Sequence, residues 1–369
     1  MSKRIRVLTV TGSPYEMGLI HGRAYRDDII RYTNERVALV CGGQWSGGPI
    51  SREAALALAE ACLPAHEAYA PDLMAELRGL AEATSLSLAE LIIVGGFTDF
   101  VDTVYASFRK PATRLPEDDC TAVIVPDHLA EGAGFLAQTW DMHDSAMPFV
   151  ILLDVQPAGG PRAAVPRALT FTTVGCLGQI GMNSAGVAVG INNLMGADGQ
   201  IGVTWPFVVR KMLQQSSAAA ALACLRDAPL AGAHNYLIFD RSGVGYNVEA
   251  MSSRTHITPL ADDCLTHTNH CLLPETLAVA QERPLESQLS SEARLKKAGE
   301  LLLAARPVTV DYLMALTREP EAICVQAKPP LHVASCGAAI MRPRTGDFWA
   351  LWGLPSENEY ELFALNGEQ

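Results

Sequence analysis

Cys120 lies at the boundary between a loop-like segment and a strand-like segment of the sequence. It follows the acidic, loop-like residues 117–119 and opens an apolar, strand-like run at 121–125. A peptide bond cut just before this cysteine would make it the first residue of a new chain. The freed α-amino group has an ordinary pKa of about 7.7–8.0, so it can accept the thiol proton. The pattern therefore predicts a nucleophile that carries its own base.

A carboxylate is expected beside this cysteine. The apolar runs 121–126 and 134–140 predict a hairpin, with a loop near 127–132. If the turn centres on Ala130 and Glu131, Cys120 lies opposite Asp141, and opposed side chains are about 4.5–5.5 Å apart at Cβ. Asp141 would then hold an ammonium group or orient a proton. The alternative is that Asp141 only ends a strand at a turn, where aspartate is common.

Two segments offer donors for a developing oxyanion. Residues 178–193 combine a glycine-rich turn, a strand and Asn192, and residues 266–271 carry Asn269. An asparagine amide is a neutral donor, and preorganised donors stabilise the oxyanion of acyl transfer. The more common role of asparagine is in a turn, so spacing alone leaves both roles open.

Four further residues are candidates for the substrate pocket. Met142 and His143 directly follow Asp141, so we expect them to shape an acyl pocket. His234 and Asn235 precede a strand and either line the pocket or cap a turn.

Composition limits the class of protein. The 369 residues allow two domains or one large one. A net charge of −12 argues against a nucleic-acid partner, and no apolar run approaches the ~20 residues that a transmembrane helix needs. The nine cysteines form no C-x-x-C pair and are odd in number, which predicts reduced thiols and a cytoplasmic location.

The predicted secondary structure changes at Cys120 from mostly helical to mostly β-strand. A strand at Arg6–Thr11 is followed by mostly helical patterns up to residue 119, with a capping box predicted from Ser13 to Glu16. Beyond Cys120, short strands joined by tight turns alternate with helical blocks. This order favours stacked antiparallel sheets covered by helices.

Several motifs in order resemble one family. They are Asp119-Cys120-Thr121, Gln138-Thr139-Trp140-Asp141, residues 181–189 (GMNSAGVAV) and residues 266–273 (THTNHCLL), preceded by residues 12–18 (GSPYEMG). Together they resemble the isopenicillin N acyltransferase family of N-terminal nucleophile hydrolases. The resemblance covers nearly the whole chain, and its specificity comes from the order of the motifs.

The resemblance implies a fold and a maturation step. The fold would be an α+β, four-layer αββα sandwich of two antiparallel sheets. Autocatalytic cleavage before Cys120 would give an α chain of residues 1–119 and a β chain of residues 120–369. The two fragments would stay together as one heterodimeric structural domain, with a dimer of such units left open.

The resemblance also implies roles for individual residues. Cys120 matches the nucleophile and Asp141 the carboxylate near the new amino terminus. Asn269 matches the asparagine that holds the oxyanion or the amine, and Asn192 matches an oxyanion-hole asparagine of related bile-salt-hydrolase-like enzymes. Asp119 and Cys120 flank the expected cut, and Ser335 keeps the family's serine, so we assign all three to self-cleavage.

Two positions depart from the family pattern. Asp119 stands where the acyltransferase has a glycine before the nucleophile. Cys336 stands after Ser335 where the family has an arginine. A missing guanidinium removes a bidentate partner for a carboxylate or oxyanion, so the family's own substrate does not transfer to this chain.

The expected activity is hydrolysis of a small amide, such as an N-acylated amino acid, with no cofactor. Acyl transfer from a coenzyme A thioester is the second candidate, because the two reactions differ only in what reaches the thioester. A non-catalytic binding protein on the same fold, and a papain-type Cys-His hydrolase in an uncut chain, are further alternatives.

A metal site is the last alternative. His267, His270 and Cys271, with His256 or Cys264, have residue types that bind zinc. Positions three apart in a strand face opposite sides, so we expect no metal there.

Overall fold

Two stacked β-sheets form the centre of the protein. The computed structural model describes residues 4–109, 111–116, 118–160, 164–329 and 331–365. One sheet has eight strands in the order β1-β4-β5-β6-β7-β8-β9-β10, and the other has six in the order β11-β2-β3-β12-β13-β14. The strands are β1 (Arg6–Gly12), β2 (Thr121–Val125), β3 (Phe135–His143), β4 (Val150–Pro157), β5 (Ala168–Thr173), β6 (Ile180–Asn183), β7 (Val187–Asn193), β8 (His234–Asp240), β9 (Gly245–Ala250), β10 (Thr255–Pro259), β11 (Leu265–His267), β12 (Val333–Arg342), β13 (Asp347–Trp352) and β14 (Glu361–Ala364).

Helices fill most of the chain before residue 108 and recur between the later strands. They are α1 (Pro14–Ala24), α2 (Arg26–Gly42), α3 (Arg52–Tyr69), α4 (Pro71–Thr84), α5 (Leu88–Gly95), α6 (Phe97–Ser107), α7 (Trp205–Met212), α8 (Ala218–Arg226), α9 (Pro274–Leu277), α10 (Leu285–Ala304) and α11 (Val310–Thr317). The predicted capping box is confirmed at α1, where the Glu16 carboxylate accepts from the Ser13 amide at 2.8 Å.

The layers follow from which elements touch. Strands β2 and β3 pack face to face with β7 and β8, α7 and α8 cover the eight-stranded sheet, and α10 and α11 cover the six-stranded one. The α+β, four-layer αββα sandwich is therefore confirmed. One detail of the expectation is wrong: β1 pairs with β4 in parallel, from Arg6↔Ile151 to Gly12↔Pro157, so that sheet is mixed rather than purely antiparallel.

The β2–β3 hairpin has a different register from the one predicted. Thr121 pairs with Thr139, so the same register continued by one residue sets Cys120 opposite Trp140. The predicted opposition of Cys120 and Asp141 is wrong by one position. The reason is the turn, where residues 127–129 form a single 3-10 turn and centre the hairpin on Ala130.

A buried glutamine fixes the two sheets against each other. Gln138 on β3 accepts from the Ile191 amide at 2.8 Å and donates to the Ile191 carbonyl on β7. Gly190 leaves room for it, since a Cβ there would meet the Gln138 amide oxygen at 2.8 Å. This contact places the strand after Cys120 against the strand that ends in Asn192. Within the described part of the chain, no helix has the length and apolar character needed to cross a membrane.

Candidate active site

Cys120 lies at the start of β2, fully buried between the sheets and α10. Its Sγ is 3.6 Å from the Asp141 carbonyl and accepts from the Asp141 amide at 3.4 Å. Burial raises the pKa of the thiol well above its ordinary value, and the charges of Asp118 and Asp141 raise it further. The intact chain therefore holds Cys120 as a protonated thiol in contact with the main chain of β3.

The Asp141 carboxylate is buried beside the Ser335 hydroxyl. Neither of its oxygens makes a hydrogen bond of good geometry among the described residues. Burial raises the pKa of Asp141 well above its ordinary value, while the Arg294 guanidinium and the Ser335 hydroxyl act in the opposite direction. Ser335 is the cross-strand neighbour of Asp141 on β12. A buried acid without a hydrogen bond of good geometry is costly, so this position favours a cation beside it.

Asn192 contacts the main chain of the cysteine itself. Its Nδ2 donates to the Cys120 carbonyl at 3.3 Å. Asn235 on β8 donates to Asn192 Oδ1 at 3.4 Å and to Asn247 Oδ1 at 2.8 Å. The predicted pocket residue Asn235 therefore lies behind Asn192 and orients its amide.

Asn269 follows the short strand β11 and is also fully buried. Its Nδ2 donates to the Asn193 carbonyl at 3.1 Å, and its main-chain amide donates to Ser291 Oγ on α10 at 2.9 Å. In the intact chain the side-chain amides of both predicted oxyanion donors thus contact main-chain carbonyls near Cys120.

Arg294 on α10 is a candidate site residue that the sequence reasoning missed. Its guanidinium is completely buried and donates to the Cys120 carbonyl at 2.5 Å, to Asp119 Oδ1 at 2.8 Å and to Asn269 Oδ1 at 3.2 Å. It joins three of the predicted site residues. A signal was present, because Arg294 continues the buried helical stripe Ser287, Ser291, Arg294, Ala298 and Leu302.

Cys336 lies at a β-bulge in β12, between Ser335 and Gly337. Its Sγ is 3.8 Å from the Met142 carbonyl, and burial raises the pKa of its thiol. Cys336 thus behaves as a small buried hydrophobe, and the one guanidinium described at the Cys120 carbonyl comes from Arg294 instead.

The remaining pocket candidates spread apart. Met142 is buried in β3, and His143 is half-buried with its Nδ1 2.8 Å from Ser145 Oγ. His234 is buried, with Nδ1 2.8 Å from Asp99 Oδ1 and Nε2 3.1 Å from Thr98 Oγ1 on α6. His234 therefore faces the helical layer rather than Cys120.

The histidines considered as alternative metal ligands have other partners. His267 Nε2 is 3.0 Å from the Glu249 carboxylate, and its Nδ1 is 2.7 Å from the Thr268 carbonyl. His270 contacts Ser291 Oγ at 2.7 Å, and the Cys271 thiol points at Met251. Across the described ranges, no three His, Cys, Asp or Glu side chains converge as a metal site would require.

A cavity of about 340 Å³ opens beside the junction of residues 119 and 120. Asp119 lines it on one side. The other walls come from α10 and from the chain that precedes β12, and they include Ser287, Ser290, Ala293, Cys324, Val325 and Val333. The cavity therefore lies beside the residue that precedes the candidate nucleophile and against the helix that carries Arg294.

Residues 129–312 match the family model "Acyl-coenzyme A:6-aminopenicillanic acid acyl-transferase". The chain is 24% identical over 294 residues to the 40 kDa form of acyl-coenzyme A:6-aminopenicillanic-acid-acyltransferase from Emericella nidulans, covering 78% of this chain and 76% of the relative. Both matches agree with the resemblance that the sequence motifs indicate, and the chain is similar to this family over most of its length. The matched range contains Asp141, Asn192, Asn269 and Arg294, and it begins after Cys120.

Similar solved structures include a hydrolase and an acylase. One is a mutant of conjugated bile acid hydrolase from Clostridium perfringens, with a TM-score of 0.45, 11% identity, and coverage of 68% of this chain and 93% of that one. The other is penicillin V acylase from Agrobacterium tumefaciens, with a TM-score of 0.41, 11% identity, and coverage of 66% and 84%.

Proposed function

We propose that the protein is a self-processing amidohydrolase whose nucleophile is the thiol of an N-terminal Cys120. The observation that carries the proposal is the buried Asp141 carboxylate, which makes no hydrogen bond of good geometry among the described residues and belongs to a residue that contacts Cys120. Cleavage before Cys120 would create an α-ammonium group on that neighbouring residue, and this group would neutralise the carboxylate. The resemblance to the acyltransferase family supports the reaction class, which is transfer of an acyl group to an amine or from an amide.

Self-cleavage would proceed through a thioester. Cys120 Sγ attacks the carbonyl carbon of Asp119 as the thiol gives up its proton, and the C–N bond to Cys120 breaks as that nitrogen takes up the proton. Water then hydrolyses the thioester, which leaves a carboxylate on Asp119 and a free α-amine on Cys120. Ser335 is the cross-strand neighbour of Asp141 on β12, so we propose that its hydroxyl takes part in self-cleavage.

Turnover repeats the chemistry on a substrate. The α-amine of Cys120 accepts the thiol proton and later delivers it to the leaving amine. Asp141 holds the α-ammonium form. The acyl group remains on Sγ until water releases it as a carboxylate.

The donors around the nucleophile would stabilise the tetrahedral oxyanion. The amides of Asn192 and Asn269 lie within the same buried network, and Arg294 ties that network to the Cys120 carbonyl. After the cut the new terminus is free to shift, which would release these donors for an incoming carbonyl.

The substrate class we propose is an N-acyl amino acid or a similar small amide, which reaches Cys120 through the cavity at Asp119. Acyl transfer from a coenzyme A thioester is the second candidate, because the family model and the Emericella nidulans relative are named for that reaction. The α fragment of residues 1–119 and the β fragment of residues 120–369 would act as a heterodimer. A cytoplasmic location is proposed from the cysteine pattern of the sequence.

The test is denaturing mass spectrometry of the purified protein, with an assay of amine release from N-acyl amino acids in the presence and absence of an acyl-coenzyme A. We expect two fragments that meet between Asp119 and Cys120. Cys120→Ala should remain one chain and show no turnover. Cys62→Ala, at a buried cysteine of α3, is the matched control and should split normally.

The outcomes separate the candidates. Normal turnover by Cys120→Ala would refute the mechanism. An intact wild-type chain that hydrolyses amides would refute self-processing alone and favour a Cys-His hydrolase. Amine-dependent consumption of the acyl-coenzyme A, without hydrolysis of amides, would favour the acyltransferase.

A further inference from the structure

The buried ion pair between Arg294 and Asp119 spans the expected cleavage site. Arg294 Nη2 donates to Asp119 Oδ1 at 2.8 Å, and Ser290 Oγ is 3.4 Å from Asp119 Oδ2. The Arg294 side chain is 0% exposed and that of Asp119 is 14% exposed. The acidic side chain of the last residue before the cut thus neutralises a guanidinium that has no access to water.

Asp119 and a substrate acyl group would occupy the same place on the enzyme. In self-cleavage Cys120 Sγ bonds to the Asp119 carbonyl carbon, and in turnover the same sulfur bonds to the carbonyl carbon of the acyl group. The carboxylate carbon of Asp119 is three bonds from that carbonyl carbon. A succinyl group has the same spacing between its acyl carbon and its distal carboxylate.

Cleavage would leave Arg294 without its anion. The cut gives Asp119 a second carboxylate close to Asp118 and Asp141, whose negative charges already oppose one another. Repulsion favours departure of this terminus through the cavity that Asp119 lines. The new α-ammonium pairs with Asp141 and does nothing for Arg294. A buried guanidinium strongly favours a replacement anion, and a carboxylate fits its planar donors.

We propose that Arg294 makes the mature enzyme selective for acyl groups with a distal carboxylate, of the succinyl type, and that Asp119 fills this subsite in the precursor. The inference rests on the proposed function, because it uses the acyl-enzyme of that mechanism. It also gives a role to both departures from the family pattern, since Asp119 replaces a glycine and Arg294 supplies a guanidinium where Cys336 cannot.

The covalent step balances without any further reactant. The bond from Cys120 Sγ to the succinyl carbonyl carbon forms as the C–N bond breaks, and the amine leaves with the proton held by the Cys120 α-amine. Water then adds to the thioester and releases succinate, which restores the thiol.

The direct test compares N-succinylglycine with N-succinamoylglycine, whose distal group is a neutral amide of the same shape. On the split wild-type protein we expect kcat/KM to favour the succinyl compound by about 10- to 100-fold, as for a charged hydrogen bond. Arg294→Gln should bring the ratio close to one, mainly through KM, and Arg294→Lys should restore part of it. Lys328→Gln removes an exposed cation of the same cavity and should largely keep the preference.

The results distinguish failure of the inference from failure of the proposed function. Equal hydrolysis of both compounds by the wild type overturns the subsite and leaves the amidohydrolase intact. No hydrolysis of either, by a protein that has split, overturns both.

A binding experiment covers the case in which Arg294 variants do not split. Calorimetry with succinate and with succinamate is done on Cys120→Ala, where Asp119 fills the subsite, and on Cys120→Ala/Asp119→Gly, where the subsite is open. We expect only the open form to bind succinate, at least about tenfold more tightly than succinamate. Equal affinity of the open form for the two compounds refutes the inference.

Discussion

At the scale of single residues, burial sets the ionisation of Cys120 and Asp141 in the same direction. Burial raises the pKa of both groups well above their ordinary values. The uncut chain therefore favours a neutral Cys120 thiol and a neutral Asp141 acid. The proposed mature site would need both groups in their charged forms, and the α-ammonium created by the proposed cut would stabilise both negative charges.

The raised pKa of Asp141 has a consequence for the stability of the uncut chain. A carboxyl whose pKa is raised on folding destabilises the fold as pH rises from its ordinary value, 3.8, through the raised one. In a Cys120→Ala background, Asp141→Asn should therefore stabilise the chain at pH 7, by about 1–3 kcal/mol. The same substitution should have little effect at pH 3.

Thermal unfolding of the two variants at both pH values measures this effect. Asp347→Asn, at an only partly buried acid of β13, is the control and should change neither midpoint appreciably. A loss of stability from Asp141→Asn at pH 7 would mean that Asp141 already has a charged partner in the precursor.

At the scale of elements, two glycines set how closely α1 approaches α4. A Cβ at Gly18 would lie 1.9 Å from the Glu76 carbonyl, and a Cβ at Gly79 would lie 2.1 Å from the Tyr15 carbonyl. Both carbonyls belong to the main chain, so a side chain at either position forces the helices apart. Gly18 of the early GSPYEMG motif and Gly79 on α4 thus allow the close helix packing.

Gly79→Ala should destabilise the protein by at least about 1–3 kcal/mol through overpacking. Gly299→Ala is the matched control, because nothing lies within 4 Å of a Cβ at that position on α10. It should stabilise α10 by about 1 kcal/mol, since alanine is the better helix former. Chemical denaturation measures both changes, and equal effects of the two substitutions would contradict the close crossing.

The loop after β11 depends on a buried pair for its shape. Glu249 on β9 contacts His267 at 3.0 Å and accepts from the Leu272 amide at 2.8 Å. Burial alone would raise the pKa of Glu249, but the contacts with His267, Thr276 and Leu272 outweigh it and lower the pKa below 4.5. This contribution to stability is complete above pH 4.5 and is lost as pH falls through the lowered value.

Glu249→Gln should therefore reduce stability at pH 7 and flatten its dependence on pH below 4.5. Because the pair holds both ends of the loop that carries Asn269, we expect kcat for amide hydrolysis to fall about tenfold or more. Glu275→Gln, an exposed acid on α9, is the control. If stability depends on pH below 4.5 in the same way in Glu249→Gln as in the wild type, the pair does not stabilise this loop.

At the scale of the whole molecule, the expected cut does not coincide with a structural boundary. Strand β1 pairs with β4 over seven residues. Helices α1, α3 and α6 also make buried hydrogen bonds to Gly175, Thr204 and His234, which all follow Cys120. Two fragments would therefore share one core.

Native mass spectrometry of the split protein should accordingly find both fragments in one complex, close to the 39.5 kDa of the chain. Separation should require denaturant and coincide with loss of the folded signal. Free β fragment under native conditions would contradict a shared core.

Much of this organisation follows from local pattern. The change from helical to strand patterns identifies Cys120, the turn residues predict the hairpin, and the capping box predicts the start of α1. Each of these predictions depends only on residues that are close together in the chain. The predicted hairpin register is wrong by one residue, because the loop forms a 3-10 turn that spacing does not reveal.

What the sequence by itself determined is the nucleophile candidate, the family motifs and the layer order, since these depend on residue type and period. Only the tertiary structure placed Arg294 at the Cys120 carbonyl, 174 positions away along the chain. The physical reason is packing. The period of α10 indicates that Arg294 is on the buried face, but only the docking of that helix on the six-stranded sheet decides which atoms its guanidinium meets.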